Sequence, residues 1–419
     1  MLMEIQTLRQ PVSRTISIPG SKSITNRCLL LAALAKGNSC LHNVLLSDDT
    51  DALMKNLSRL GVSLAIDRAN HSVRIQGVEG IFPQKSTYLD CHDSGTVLRF
   101  LLPACGNQDG EFYFHGSSQL QKRPIQQLLD VLIQQGACIS DQRLPLKINN
   151  TQRLRGGKIT IFGGTSSQFL SGLLMSAPYY QQDSVFKTHD LVSEPYIRMT
   201  CAMMRQFGVF IDQRSDKTWH VRSAQTYLAR NYWIEPDFSS ASYFFAAAAV
   251  TNSTITILNL SRRKSLQGDK AFLDILEKMG CTIIDDENNI RVIGPKQLQG
   301  VDADMRDCSD TMMTLAAIAP FAQSPTRISN IGHVRVKESD RITAIVANLR
   351  ALNIHVEEEE TAITIYPSTP RGTTISSYHD HRIAMACSII GLKVPNIIIQ
   401  DPECISKTFP NFFEKLSLI

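Results

Sequence analysis

DALMKNLSRLGVSLAI occupies residues 51–66. Leu53, Met54, Leu57 and Leu60 fall three or four apart, which predicts the apolar face of a helix. Gly61 then supplies the left-handed residue that ends a helix, and the alternating stretch behind it reads as a strand. The same phrase recurs as LLDVLIQQGACI (128–139), CAMMRQFGVFI (201–211), AFLDILEKMGCTI (271–283) and IVANLRALNIHV (345–356). Its terminators Gly61, Gly136, Gly208, Gly280 and Asn353 are separated by 75, 72, 72 and 73 residues. Asn fits the fifth because it also tolerates the left-handed conformation.

A second set of anchors has the same period. Ser21, Ser94, Ser167 and Ser240 lie 73 apart, and Asp310 and Asp380 follow at steps of 70. Each can cap a helix N-terminus. Each opens an apolar run: NRCLLLAALA, TVLRFLLPAC, FLSGLLMSAP, YFFAAAAV, MMTLAAIAP and RIAMACSII. The repeat is therefore about 70 residues, with one buried helix, one amphipathic helix and alternating strands such as YLDC, KITIFGG, STITILNL and TAITIYPS. Six copies exceed one compact core, so two lobes of three are expected. The first lobe is assigned to residues 15–234, and the second to residues 1–14 plus 235–419. Chain crossings near 13–18 and 231–236 would make a hinge, stiffened at Pro236. A first strand over residues 3–10 is expected to pair with the second lobe.

Composition bounds the function. Of 419 residues, 43% are apolar, which excludes a disordered chain. A net charge of +4 is too mild for a nucleic-acid surface. MLMEIQTLRQ carries no secretory or transit pattern, and no apolar run approaches the roughly 18 residues of a membrane span. Ten cysteines without a Cys-x-x-Cys pair suit a reducing compartment. A cytoplasmic enzyme is expected, with no membrane or nucleic-acid partner.

The chemistry gathers at the helix starts, where unpaired N–H groups favour anions. PGSKSITNR brings Lys22, Ser23 and Arg27; DSGTVLR brings Gly95, Thr96 and Arg99; TSSQFL brings Ser166, Ser167 and Gln168; CSDTMM brings Asp310; HDHR brings Arg382. If the lobes faced each other across these ends, the cleft would suit a substrate with several negative charges. Singly, each motif has a simpler reading. Pro-Gly-Ser-Lys-Ser is a turn and a capped helix, and no Walker A loop. Asp-Ser-Gly-Thr and Ser-Ser-Gln are caps. VKESDR (336–341) is a solvated helix face. Arg123-Pro124 is a helix start with Pro in its first turn. His379-Asp380-His381 resembles a metal pair, but spacing places no third ligand, so no metal is expected.

Their joint occurrence resembles the 5-enolpyruvylshikimate-3-phosphate synthase family of enolpyruvyl transferases. PGSKSITNR, LLSDDT, GTVLR, KRPI, SSQFLSGLLMSAP, DLVSEPYI, DFSSASYF, SLQGD, RVKESDR, DHRIAM and SKTFP (406–410) carry the resemblance nearly end to end. It implies an α/β fold: a two-lobed inside-out α/β barrel, each lobe three βαβαββ repeats with helices inside and strands outside. It implies transfer of the enolpyruvyl group of phosphoenolpyruvate to the 5-hydroxyl of shikimate 3-phosphate by addition and elimination, without a cofactor. It also implies a monomer that glyphosate inhibits.

At about −1.5 to −2 per phosphate, the two substrates carry roughly −5 to −6 in total. The resemblance sets seven cations against them: Lys22, Arg27, Arg123, Lys337, Arg341, Arg382 and Lys407. By the same resemblance, Lys22 and Gln168 touch both substrates. Ser23, Arg27, Ser166, Ser167, Ser193, Asp310 and Lys337 hold shikimate 3-phosphate. Gly95, Arg123, Arg341, Arg382 and Lys407 hold phosphoenolpyruvate. Asp310 serves as base toward the attacking hydroxyl, Glu338 as acid toward the methylene carbon, with Lys22 assisting. Two positions depart from the family pattern: His92-Asp93 replaces Gly-Asn, and His333 stands where one branch has Asn. The sister transferase acting on a UDP-aminosugar has a cysteine ahead of its Arg-Pro, which GSSQLQKRP lacks.

Overall fold

The structure is a computed structural model that describes residues 1–215 and 217–419. Two strands come first, β1 (Leu2–Glu4) and β2 (Ser13–Ile16). The repeats follow. The first is α1 (Lys22–Leu34), β3 (Asn38–His42), α2 (Asp48–Arg59), β4 (Ser63–Asp67) and β5 (Ser72–Gln76). The second is β6 (Ser86–Asp90), α3 (Gly95–Gly106), β7 (Gly110–His115), α4 (Ser118–Gln121), α5 (Gln126–Gln134) and β8 (Leu146–Asn150). The third is β9 (Gly157–Phe162), α6 (Ser167–Ser176), β10 (Ser184–His189), α7 (Glu194–Gln206), β11 (Ile211–Ser215) and β12 (Thr218–Val221).

The fourth is β13 (Asn231–Trp233), α8 (Phe238–Thr251), β14 (Thr254–Leu258), α9 (Phe272–Lys278), β15 (Thr282–Asp286) and β16 (Asn289–Ile293). The fifth is β17 (Asp302–Asp304), α10 (Met312–Ile318), β18 (Thr326–Ser329), α11 (Arg341–Ala351), β19 (Val356–Glu358) and β20 (Ile363–Ile365). The sixth is β21 (Thr374–Ile375), α12 (His381–Gly391) and β22 (Ile398–Gln400), closed by α13 (Phe412–Leu416).

The third and fifth repeats keep all four strands of βαβαββ in one sheet. Each makes a sheet whose first two strands run parallel and whose last two form an antiparallel hairpin. The first and fourth repeats have traded their first strands. β2 leads into α1 but pairs in parallel with β14, and β13 leads into α8 but pairs in parallel with β3. Residues 13–16 and 231–233, expected as linkers, are thus strands: a parallel partner satisfies their backbone groups. β1 is shorter than residues 3–10 and pairs antiparallel with β22. Among the described residues six small sheets result.

The chain divides into two compact units, Gly20–Ile234 and Met1–Pro19 with Glu235–Ile419. In the first, α1, α3 and α6 pack together and are buried on nearly every side. In the second, α8, α10 and α12 do the same. The sheets face outward, each with one buried row, as in Ile255 and Ile257 of β14. Each unit is an inside-out α/β barrel. Small residues make the helix packing close: a Cβ on Gly172 of α6 would lie 2.3 Å from the Arg99 carbonyl of α3. The five terminators do take left-handed backbones, with φ of 90°, 102°, 88°, 100° and 65°.

The second anchor set needs correction. Ser21, Ser94 and Asp380 are the residues before their helices, but Ser167 is the first residue of α6 and follows the cap Ser166. α8 is capped by Asp237, whose carboxylate accepts from the N–H of Ser240, 2.7 Å away. Asp310 lies inside a 3-10 turn, Ser309–Thr311, ahead of α10. A carboxylate or hydroxyl can cap from several offsets, so the period survives while the cap slips by up to three residues.

Candidate functional site

In the Gly20–Ile234 unit most site residues stand at the starts of four helices, α1, α3, α6 and α7. Lys22 opens α1, and its ammonium lies 3.4 Å from the Asp49 carboxylate. Asp49 sits in the acidic first turn of α2, which Ser47 and Thr50 cap reciprocally. Arg27 is buried in the packing of α1 with α6 and α7. It donates to Thr200 Oγ1 (2.7 Å), Ser171 Oγ (3.1 Å) and the carbonyls of Ser23 (2.9 Å) and Tyr196 (3.4 Å). Burial pushes its pKa down to about 10, and rings of Phe100 and Tyr196 flank its charge. Arg27 therefore fixes the first turn of α1, including Ser23.

Gln168 is held from both ends. Its carbonyl accepts from Arg99 (2.8 Å), and its amide donates to Thr96 (2.9 Å). Arg99 also donates to the Pro124 carbonyl at 3.1 Å, next to Arg123. Pro124 is not in a first turn: α5 begins two residues later, at Gln126. Ser166 caps α6, Ser167 is buried beside it, and Ser193 precedes α7 in a left-handed conformation, φ 53°.

Gly95 has a cause the sequence did not suggest. A Cβ there would lie 2.8 Å from the Arg123 Cζ and 2.9 and 3.0 Å from its two terminal nitrogens. The glycine makes room for a guanidinium of its own chain. Gly95→Ala should push Arg123 aside, since the end of a flexible side chain yields first. If Arg123 grips phosphoenolpyruvate, as the family resemblance implies, the KM for that substrate should rise by about tenfold, one hydrogen bond to a charged group, with that for shikimate 3-phosphate unchanged. Steady-state kinetics with each substrate varied would detect it; an unchanged pair of KM values would contradict it.

In the other unit the cations are already paired. Arg341 is 2% exposed and donates to three carboxylates: Asp310 (3.1 Å), Glu338 (2.7 Å) and Asp380 (2.9 Å). Burial works against its charge, yet Asp380, Glu338 and Asp310 outweigh burial and hold its pKa above the usual value. Arg382 donates to the other oxygen of Asp310 at 2.8 Å, and Lys407 lies 3.7 Å from Glu338. Lys407 is placed by the next residues: Phe409 packs against Phe244 and Phe412. Residues 336–340 are not the helix face expected of them, because Asp340 caps α11, which starts at Arg341. Asp380, read from sequence only as a helix start, is fully buried as the rear partner of Arg341. His379 and His381 part company, His379 exposed with Asp401 at 2.5 Å and His381 buried.

His333 Nε2 lies 2.9 Å from Ser309 Oγ, and burial and Lys337 push its pKa down to about 3. Asp269 takes a hydrogen bond from Ser239 (3.0 Å), and burial and Asp310 push its pKa up to about 7. Their pH slopes oppose. The fold keeps a proton on Asp269 that the unfolded chain loses at 3.8, so stability falls as pH rises from 3.8 to about 7. The unfolded chain protonates His333 at 6.5 and the fold only near 3, so stability falls as pH drops across that range. Asp269→Asn should leave only the second slope. Its urea midpoint should climb more steeply than that of the unmodified protein between about pH 4 and 6.5. Parallel curves would contradict the placement of that proton.

Each unit is an inside-out α/β barrel with cations and carboxylates near its helix starts, a fold shared with solved structures. The fold is that of the enolpyruvyl transferase NikO from Streptomyces tendae: TM-score 0.79, 17% identity, 100% of this chain and 97% of that one covered. It is also that of an EPSP synthase from Acinetobacter baumannii: TM-score 0.85, 24% identity, 100% and 98% covered. The family profile of EPSP synthase (3-phosphoshikimate 1-carboxyvinyltransferase) matches residues 7–416. A 3-phosphoshikimate 1-carboxyvinyltransferase of Nostoc punctiforme is 45% identical over 99% of this chain and 98% of its own. One from Serratia proteamaculans is 39% identical over 97% and 96%. The chain belongs to the EPSP synthase family.

Proposed function

We propose that the chain transfers the enolpyruvyl group of phosphoenolpyruvate to the 5-hydroxyl of shikimate 3-phosphate and releases phosphate. The observation that carries this is the Asp310–Arg341–Glu338 cluster, two carboxylates held apart on one buried guanidinium. One can take the proton of an attacking hydroxyl while the other gives a proton to carbon. Lys22, Ser23, Arg27, Ser166, Ser167, Ser193, Asp310 and Lys337 hold shikimate 3-phosphate. Gly95, Arg123, Arg341, Arg382 and Lys407 hold phosphoenolpyruvate, and Lys22 and Gln168 serve both.

Glu338, Asp310 and Asp380 offset much of the cationic charge around Arg341. The incoming anion therefore competes with internal carboxylates, which protonation of Glu338 would relieve. Glyphosate, an anion of similar size, competes for the same cations. The enzyme works as a monomer in the cytoplasm, a reducing compartment that its ten free cysteines suit. Among the described residues no helix is long and apolar enough to cross a membrane.

Phosphate release with phosphoenolpyruvate tests the acceptor. Release with shikimate 3-phosphate and none with a UDP-aminosugar is expected. The reverse pattern would assign the sister reaction, and no release with either would leave a binding protein.

A further inference from the structure

We propose that Asp93 is a positioning residue for Arg123, acting through the hydroxyl of Ser117. The proposal rests on the reading that Arg123 grips phosphoenolpyruvate. Two loops meet here, one from β6 to α3 and one from β7 to α4. Their backbones are joined where the Cys91 N–H donates to the His115 carbonyl and the Ser117 N–H to the His92 carbonyl, both at 2.9 Å. The Ser117 hydroxyl then donates to the Asp93 carboxylate. The same oxygen accepts from the Leu120 N–H at 3.1 Å, and the Leu120 carbonyl accepts from the Arg123 N–H at 3.0 Å. A continuous chain of hydrogen bonds thus runs from Asp93 to the backbone of Arg123. Two residues beyond Asp93, Gly95 lies under the guanidinium of that arginine. The loop that receives Arg123 is therefore also the loop that sets its backbone.

This accounts for the departure at position 93. What the latch requires is an oxygen acceptor, which Asp and Asn both offer. The bond is exposed, so its loss should hardly change stability. It should change how well Arg123 is aimed.

The test is steady-state kinetics on the full chain with both substrates varied, alongside thermal unfolding. Asp93→Ala and Ser117→Ala should each raise the KM for phosphoenolpyruvate by about five- to tenfold. The double variant should be no worse than Ser117→Ala alone, which already removes the bond to Asp93. The KM for shikimate 3-phosphate and kcat should stay put in both, and so should the melting temperature of Asp93→Ala, whereas Ser117→Ala also uncaps α4 and should melt slightly lower. Asp93→Asn should behave as the unmodified protein. Three results would overturn the latch: an unchanged KM in Asp93→Ala; damage in Asp93→Asn equal to that in Asp93→Ala; or a lowered KM in either, which would make the carboxylate act by charge. Arg123→Ala separates the two layers. If it leaves the KM for phosphoenolpyruvate unchanged, the reading of Arg123 fails; if it raises that KM while Asp93→Ala does not, only the latch fails.

Discussion

Arg341→Met should unfold in urea with about 3–5 kcal/mol less stability, the usual cost of breaking a buried ion pair. The reason is its three partners. Methionine fills much of the same volume but leaves Asp310, Glu338 and Asp380 facing one another, the last of them fully buried. Repulsion among them must be relieved by protonation, so the loss should shrink as pH falls toward the carboxylate range. Activity should be lost with it, since the carboxylates proposed to do the chemistry lose their anchor. Arg341→Lys separates charge from geometry: one ammonium restores the charge but cannot meet three carboxylates with a fixed fork. It should recover part of the stability and little of the activity. Chemical unfolding at two pH values checks this, and a stability within about 1 kcal/mol of the unmodified protein would contradict it.

Asp310→Asn should lower kcat by about 10²–10⁴, the usual worth of a positioned acid or base, and still bind shikimate 3-phosphate. The amide is nearly isosteric and keeps one oxygen for Arg341 or Arg382, so the cluster stays assembled. What it loses is the capacity to take a proton. Rapid-mixing kinetics together with calorimetric binding of shikimate 3-phosphate make the distinction. Lost binding at full turnover per bound substrate would make Asp310 a ligand and not a base.

The repeat was legible because its signal is local. A glycine or asparagine at a left-handed position, one turn after an apolar face, marks each amphipathic helix wherever the copy occurs. The traded strands β2 and β13 were not legible. A four-residue strand such as SRTI declares its partner only when β14, about 240 residues later, is in place. The site divides in the same way. Helix starts and their cations follow from motif and period. Ion-pair partners do not: Asp49 beside Lys22 and Asp380 behind Arg341 are contacts between elements, set by helix packing and not by spacing. Lys22, Arg341, Arg382 and Lys407 thus each stand beside a carboxylate of the chain itself.

Two carboxylates on one arginine are proposed to drive proton transfer to and from the enolpyruvyl group. Turnover of phosphoenolpyruvate and shikimate 3-phosphate in D2O tests it directly, read by NMR of the vinyl methylene in the product. Addition places a solvent deuteron on that carbon to give a methyl group, and elimination returns the methylene with loss of phosphate. Deuterium is expected in the product methylene with the unmodified protein, and slowed product formation in Glu338→Gln with shikimate 3-phosphate still bound. Product formed at full rate with no deuterium at that carbon would contradict it.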